Sequence, residues 1–274
     1  MNLLFSQESV SGSKKWGLTP SEIPENIYGH KKRLLWIMEK INKYASDRPK
    51  SDIKVLEIGC GTGIMLSIPL ASLGYNVLGI DIDEKSVNFA TSVNPFENAQ
   101  FLCTDAAELK GNYDFIILSE VLEHLDAPES LLKISHGLLR EQGFLLISVP
   151  NGYGCFEFEQ FLWERLRLGE AIERLKIMWI ISMLKQKLTG REESALLSSF
   201  STSPHVQRFT LGKIKQMITA VGFRILEVEG STLFAGKFSN LLFTGFKLPV
   251  KINNALGSFF KSIASGFYLC CCKT

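Results

Sequence analysis

The chain has 274 residues, of which 46% are hydrophobic and 21% charged, with a formal net charge of +2. That much apolar material excludes a disordered chain and suffices for one large domain, or for one domain with a sizeable insertion. The near-balanced charge gives no reason to expect a nucleic-acid partner, whose binders carry a strong basic excess. No apolar run approaches the roughly 18 residues that a membrane-spanning helix requires.

Residues 1–20 lack periodicity and read as a loose leader, with neither the basic start nor the apolar core of a secretory signal. The six cysteines, at positions 60, 103, 155, 270, 271 and 272, show no C-x-x-C spacing. They are expected as free thiols in a reducing compartment, which places the protein in the cytoplasm. Cys271 stands fourth from the end, but Lys273 occupies a position that a prenylation signal fills with an aliphatic residue, so the terminal cysteines read as buried strand residues. From Tyr28 an amphipathic helix is expected, with Leu34, Leu35, Met38, Ile41 and Tyr44 recurring at helical spacing. It would cover a ligand with His30 and Arg33, unless these two are simply solvated surface groups.

From residue 53 strands and helices alternate. Strands are predicted at 53–58, 76–81, 99–103, 113–118 and 143–149, and helices at 63–73, 84–92 and 127–140, with a kink at Pro69. Such alternation implies parallel strands joined by helical crossovers, a doubly wound α/β sheet whose ligands bind at the strands' carboxyl ends. After Asn151 the rhythm stops, and residues 153–208 read as a helical, aromatic insertion. A helix at 211–221 and a strand at 223–228 resume the pattern. A second insertion follows at about 234–263, and Phe267–Cys272 forms a last strand. The domain division is therefore 1–50 for leader and covering helix, 51–152 for the core, 153–208 for a lid, and 209–274 for the remainder of the same domain.

The first strand ends in Glu57-Ile58-Gly59-Cys60-Gly61-Thr62-Gly63. Alternating glycines there turn a buried strand sharply and leave bare backbone for a ligand. A dinucleotide turn would read G-x-G-x-x-G, yet the sixth position is Ile64, and Glu57 would repel a diphosphate and attract a cation. The ligand is expected to present an amine near Glu57. Asp81 ends the second strand, 18 residues beyond Gly63, where a carboxylate accepts both hydroxyls of a ribose, with Ile82 as an apolar floor for adenine. Capping the next helix is the alternative for Asp81, although Asp83 suits that better. Asp105, beside Ala106, stands where it could accept from an adenine amino group, or it is an ordinary turn residue. The fourth strand leads into Ser119-Glu120-Val121-Leu122-Glu123-His124-Leu125, in which His124 is either an acid–base group or a packed histidine.

Together these residues resemble the class I S-adenosylmethionine-dependent methyltransferases, strongly over residues 50–150 and more loosely at 209–228 and 266–273. The resemblance is closest to the small-molecule branch that includes the ubiquinone-pathway O-methyltransferases. It implies a Rossmann-like, seven-stranded sheet with the last strand antiparallel, and S-adenosylmethionine as cofactor. By the same resemblance Gly59, Cys60, Gly61 and Gly63 would cradle the methionine part, with Glu57 at the aminoacyl end. Asp81 would hold ribose, Ile82 would lie under the adenine, and Asp105, Ala106 and Ser119 would border the adenine and the reacting end.

The acceptor is expected to be a small molecule attacked at oxygen, lipid-like or glycan-linked. His205 is a candidate base, and Asn151, Tyr153, Arg208 and His30 are candidate acceptor contacts; Arg208 and His205 alternatively only anchor a loop. No Asn-Pro-Pro-Tyr or Asp-Pro-Pro-Tyr sequence follows the fourth strand, which lowers nucleic-acid and protein-glutamine acceptors, and no carboxylate group for a divalent metal can be assembled, so none is expected. The aromatic, lysine-bearing insertions read first as a pocket lid and second as a surface in peripheral contact with a membrane. A non-catalytic cofactor-binding protein and a nicotinamide oxidoreductase are the competing readings.

Overall fold

The computed structural model describes residues 19–23, 25–166, 204–243 and 246–274. Its centre is β1 (Lys54–Ile58), buried from Val55 onward. Successive side chains of a strand point to opposite faces, so an apolar run here needs cover on both sides. Val55 packs among Ile37, Ile41 and Leu70 on one face, while Leu56 and Ile58 pack among Leu132, Ile214 and Ile218 on the other.

Around β1 lie β2 (Asn76–Asp81), β3 (Ala99–Cys103), β4 (Tyr113–Ser119), β5 (Leu139–Pro150), β6 (Phe223–Gly230) and β7 (Gly266–Lys273). They form one seven-stranded sheet in the order β3-β2-β1-β4-β5-β7-β6. The first five strands run parallel, and β7 is antiparallel to both β5 and β6. The expected fold class is therefore what is observed. The chain winds outward from β1 through β2 to β3, then returns to β1's other side for β4. That reversal opens a crevice at the carboxyl ends of β1 and β4. Register aligns those ends: Ile58 pairs with Ile80 and with Leu118, and Ser119 with Ser148.

The helices are α1 (His30–Ala45), α2 (Ser67–Ala71), α3 (Glu84–Val93), α4 (Pro128–Leu138), α5 (Cys155–Arg165), α6 (Leu211–Ala220), α7 (Lys237–Phe243) and α8 (Lys247–Phe259). Three differ from expectation. α1 buries Leu34, Trp36, Ile37 and Ile41, whereas Leu35 is exposed; adjacent residues lie about 100° apart on a helix, and Trp36 and Ile37 win the buried side. α2 is much shorter than 63–73. Gly63 has φ of +70°, which a right-handed helix cannot use, and Pro69 sits in the first turn, where a missing N–H costs nothing. β5 begins directly after α4, so Leu139 and Arg140 are extended rather than helical; Gln142, at φ +60°, lies near the β4–β5 register shift.

α1 is fastened over the crevice by two lysines. Lys32 Nζ donates to the carbonyls of Gly230, Ser231 and Asn254 at 2.8, 2.8 and 2.9 Å, and to Ser258 Oγ at 2.7 Å. Buried Lys40 donates to Glu227 at 2.6 Å. Glu227 also accepts from Lys43 and Tyr44, and these partners pull its carboxyl down to about 2. Most of the first insertion, residues 167–203, lies outside the described residues, as does the leader 1–18. The stretch read as a second insertion holds α7 and α8. Among the described residues no helix is long and apolar enough to cross a membrane. All six cysteines are free thiols.

Candidate active site

The glycine turn follows from its φ angles: +75° at Gly59, +53° at Gly61 and +70° at Gly63. A Cβ on Gly59 would stand 2.5 Å from Val121, and one on Gly63 would stand 2.6 Å from Phe101. Only glycine satisfies both the backbone and the space. The N–H groups of Gly59 and Cys60 both donate to the Ile80 carbonyl, at 2.8 and 2.9 Å, which locks the turn to the end of β2.

Asp81 braces the same turn. Its Oδ2 accepts from the Gly61 N–H at 2.7 Å and its Oδ1 from the Asp83 N–H at 2.9 Å. Each carboxylate oxygen keeps a further lone pair for a ligand hydroxyl. Capping of α3 falls to Asp83, which accepts from Ser86 N–H. Ile82 is 79% exposed beside the crevice, an apolar surface of the kind a flat ring covers. Asp105 accepts from Ala107 N–H and caps the turn that begins at buried Ala106. Cys60 contributes backbone; its thiol is buried, close to Gly79.

Glu57 is buried and accepts from Ser67 Oγ. Burial pushes its carboxyl up to about 7, against the pull of Ser67 and Arg33. Arg33 was expected as cover or as surface, and the fold gives it more. Its side chain is largely buried, Nη1 lies 3.4 Å from Glu120 Oε1, and its Nε has no hydrogen-bond partner among the described residues. A desolvated guanidinium with an unused donor suits an anionic ligand group. One helical turn before it, His30 accepts at Nδ1 from Asn26 Nδ2 at 3.2 Å, which leaves Nε2 to carry the proton. Burial and Arg33 bring its pKa down to about 3, so the ring is neutral.

A second group gathers where β4 ends. Glu120 has φ of +56°, an uncommon conformation for a residue with a side chain. It is held by Ser148 Oγ, which donates to its carboxylate at 2.7 Å, and by its own N–H donating to the Ser148 carbonyl at 3.0 Å. Ser119 Oγ lies 3.4 Å from the same Ser148 hydroxyl. Glu123 is fully buried, and neither carboxylate oxygen has a hydrogen-bond partner among the described residues. Burial, reinforced by Glu120, holds its carboxyl well above the usual range. The Glu123 carbonyl accepts from the N–H groups of Val206 and Gln207 at 2.8 and 3.0 Å, which delivers His205 to His124 with ring centres 5.0 Å apart. His124 Nδ1 donates to the Pro204 carbonyl at 3.1 Å, so Nε2 carries its lone pair. One ligand atom each from Glu123, His124 and His205 lies within 4.8 Å of the others. Local spacing gives no sign of this group, because His205 lies 81 residues beyond His124 in the sequence.

Both groups open into a single cavity of about 850 Å³, large enough for a cofactor and an acceptor together. Its walls include His30, Arg33, Glu57, Gly59, Cys60, Gly61, Asp81, Ile82, Asp105, Ala106, Ser119, His124 and His205. Gly63 acts from behind, by yielding space to Phe101. Asn151, Tyr153 and Arg208, expected at the acceptor, are not among the cavity's walls. Asn151 is buried and donates to the carbonyls of Ser262 and Ala264, so it ties loops together. Tyr153 is 69% exposed, and Arg208 packs on Gly152.

A family model described as a methyltransferase domain matches residues 28–228. The ubiquinone biosynthesis O-methyltransferase of Pelagibacter ubique is 32% identical over 127 residues, covering 43% of this chain and 52% of that protein. The chain thus spans about half the length of the curated relatives it matches. Among solved structures, magnesium protoporphyrin IX methyltransferase from Synechocystis superposes with a TM-score of 0.51 at 16% identity, over 90% of this chain and 85% of that one. Phosphoethanolamine N-methyltransferase 2 of Haemonchus contortus gives a TM-score of 0.53 at 14% identity, over 93% and 57%. At such identities the superpositions speak for the fold, while the family match covers most of the chain. The chain belongs to the methyltransferase-domain family, in its class I, S-adenosylmethionine-dependent form.

Proposed function

We propose that the protein transfers the methyl group of S-adenosylmethionine to a hydroxyl oxygen of a small-molecule acceptor. The observation that carries this reading is one cavity with two chemically distinct ends. One end offers bare glycine backbone, Asp81 and the Glu57/Arg33 pair; the other offers two imidazoles beside a buried carboxylate. At the first end Glu57 faces the cofactor's ammonium and Arg33 its carboxylate, Asp81 accepts from the ribose hydroxyls, and Ile82 lies under the adenine. The cofactor supplies an electrophilic methyl on a sulfonium.

The protein's own task is then to orient the acceptor, exclude water and take a proton from the attacking hydroxyl. His124 is suited to the last step because Pro204 fixes its tautomer with the Nε2 lone pair available. Partial desolvation and the neighbouring His124 lower the pKa of His205, which favours the neutral ring that a base needs. Tyr28 and Phe156 add apolar wall to the cavity, in keeping with a phenolic or lipid-like acceptor. Oxygen as the attacked atom draws support from the curated relatives, which are named O-methyltransferases.

Glu123 favours a second reading of the acceptor end. A buried carboxylate without a hydrogen-bond partner is costly unless something binds it, and with His124 and His205 it offers three ligands to a divalent cation. Such an ion would lower the acceptor hydroxyl's pKa, in place of a histidine base. Turnover measured before and after chelation decides between them: an imidazole base survives chelation, whereas a metal-held acceptor loses turnover and regains it with added cation. The function itself is tested by calorimetry with S-adenosylmethionine followed by turnover on a panel of phenols. Failure of the cofactor to bind, or equal binding by Asp81→Ala, would overturn it.

A further inference from the structure

Residues 231–265, between β6 and β7, lie beyond the 28–228 that match the family model. α8 is seated by one stripe. Val250, Asn253 and Gly257 are buried, a Cβ on Gly257 would come within 1.9 Å of the Ser231 carbonyl, and Asn253 exchanges hydrogen bonds with Phe234 at 2.8 and 2.9 Å. Among the described residues the opposite stripe is left open to solvent. Leu248, Ile252 and Phe259 stand four and seven residues apart, on one face of the helix, and are 68%, 52% and 78% exposed. Burying such residues is worth far more than leaving them in water, so a continuous row of them marks a docking surface.

Its charge says what docks. Residues 231–274 contain five lysines and no aspartate, glutamate or arginine. Because the whole chain carries +2, this segment supplies +5 and the remainder −3. Lys247, Lys251 and Lys261 are exposed beside the apolar row. A second copy of the chain, docked face to face, would set lysines against lysines, and lysine is depleted from protein–protein interfaces in general. An anionic bilayer complements both features, taking the apolar side chains below the headgroups and the ammonium groups at their level.

We propose that the outer face of α8 seats this protein on the surface of an anionic lipid bilayer. The seat adjoins the cavity: Asn253 holds Phe234, and Phe234 precedes Ala235, which lines the cavity wall. A bilayer-borne acceptor would therefore meet the cavity without crossing water. The docking claim does not depend on methyl transfer and is tested separately.

The full chain is sedimented with vesicles of phosphatidylcholine alone and of phosphatidylcholine mixed with phosphatidylglycerol. Binding to the mixed vesicles is expected, with little to the neutral ones, and with loss on the order of tenfold as salt shortens the reach of the lysines. Leu248→Asp/Phe259→Asp, and separately Lys247→Gln/Lys251→Gln/Lys261→Gln, should each lower vesicle binding on the order of tenfold. Both keep cofactor affinity, because every substituted side chain is exposed. No sedimentation with mixed vesicles overturns the proposal, as does equal binding to neutral ones or wild-type binding by both variants. Light scattering gives a further contrary result: a lipid-free dimer that Leu248→Asp/Phe259→Asp splits would assign the face to a second copy.

Discussion

Glu57→Gln should make the cofactor-free protein more stable while weakening its hold on the cofactor. The buried carboxyl of Glu57 has its pKa raised from 4.5 to about 7, so the folded state favours the neutral form. Below the unfolded value of about 4.5 the acid is neutral in both states and costs nothing. As pH rises through the folded value of about 7, stability is lost, and above it the penalty is constant. Raising the carboxyl from 4.5 to about 7 costs about 3 kcal/mol at pH 8. Glutamine still accepts from Ser67 and never ionises. Its thermal midpoint at pH 8 should therefore exceed the wild type's by roughly 5–10 °C, and the two should converge near pH 4. Cofactor binding should move the other way: removing a charge-assisted contact to the ammonium costs about 2–3 kcal/mol, roughly 30–150-fold in Kd. Thermal scans across pH and calorimetry at pH 8 read both quantities. A variant less stable than wild type at pH 8, or a difference that does not change with pH, would refute the assignment of Glu57 as a desolvated acid awaiting a cation.

Arg33→Met should keep the fold, since the guanidinium has few partners, yet lower cofactor affinity on the order of tenfold or more by calorimetry; an unchanged Kd would remove Arg33 from the cofactor site. Gly63→Val should cost about 3 kcal/mol or more in thermal unfolding, because it meets both a φ of +70° and Phe101; a midpoint within a degree of wild type would contradict the geometry of the turn. His124→Ala combined with His205→Ala should lower kcat on the order of 10²–10⁴-fold while leaving cofactor affinity intact. A parallel loss of cofactor binding would instead make these histidines structural.

Legibility in the sequence tracked how local each cause was. β1 to β5 could be read because buried parallel strands make continuous apolar runs, and Gly59 to Gly63, Asp81 and Asp105 punctuate their ends. The antiparallel β7 came from the family resemblance, not from its own residues, since Phe267–Cys272 is apolar throughout and carries no direction. α2 was overextended because Ile64–Leu66 look helical until the φ of Gly63 is known. The Glu57 end of the cavity was legible, while Arg33 was ambiguous until the side chains at positions 34, 36 and 37 fixed the rotation of α1. Of the residues expected at the acceptor, His124 and His205 line the cavity, whereas Asn151, Tyr153 and Arg208 do not. Glu123 was not singled out, since its nearness to His205 comes through a distant segment whose Val206 and Gln207 N–H groups donate to the Glu123 carbonyl. Asn151 illustrates the opposite error: it follows a central strand as ligand residues do, but its amide is used by the carbonyls of Ser262 and Ala264, which come from more than 100 residues away.

The central assignment is methyl transfer from S-adenosylmethionine to an acceptor oxygen in the cavity between Glu57 and His205. The most direct measurement supplies the full chain with methyl-labelled S-adenosylmethionine and a mixture of phenolic and lipid-extract acceptors, with added divalent cation. Label and S-adenosylhomocysteine are then followed, and the attacked atom is identified in the labelled product. Expected are equal amounts of the two products, label on oxygen, and loss of both with Asp81→Ala. Cofactor bound at micromolar concentration with no label transferred to any acceptor, or label found on carbon or nitrogen, would contradict it.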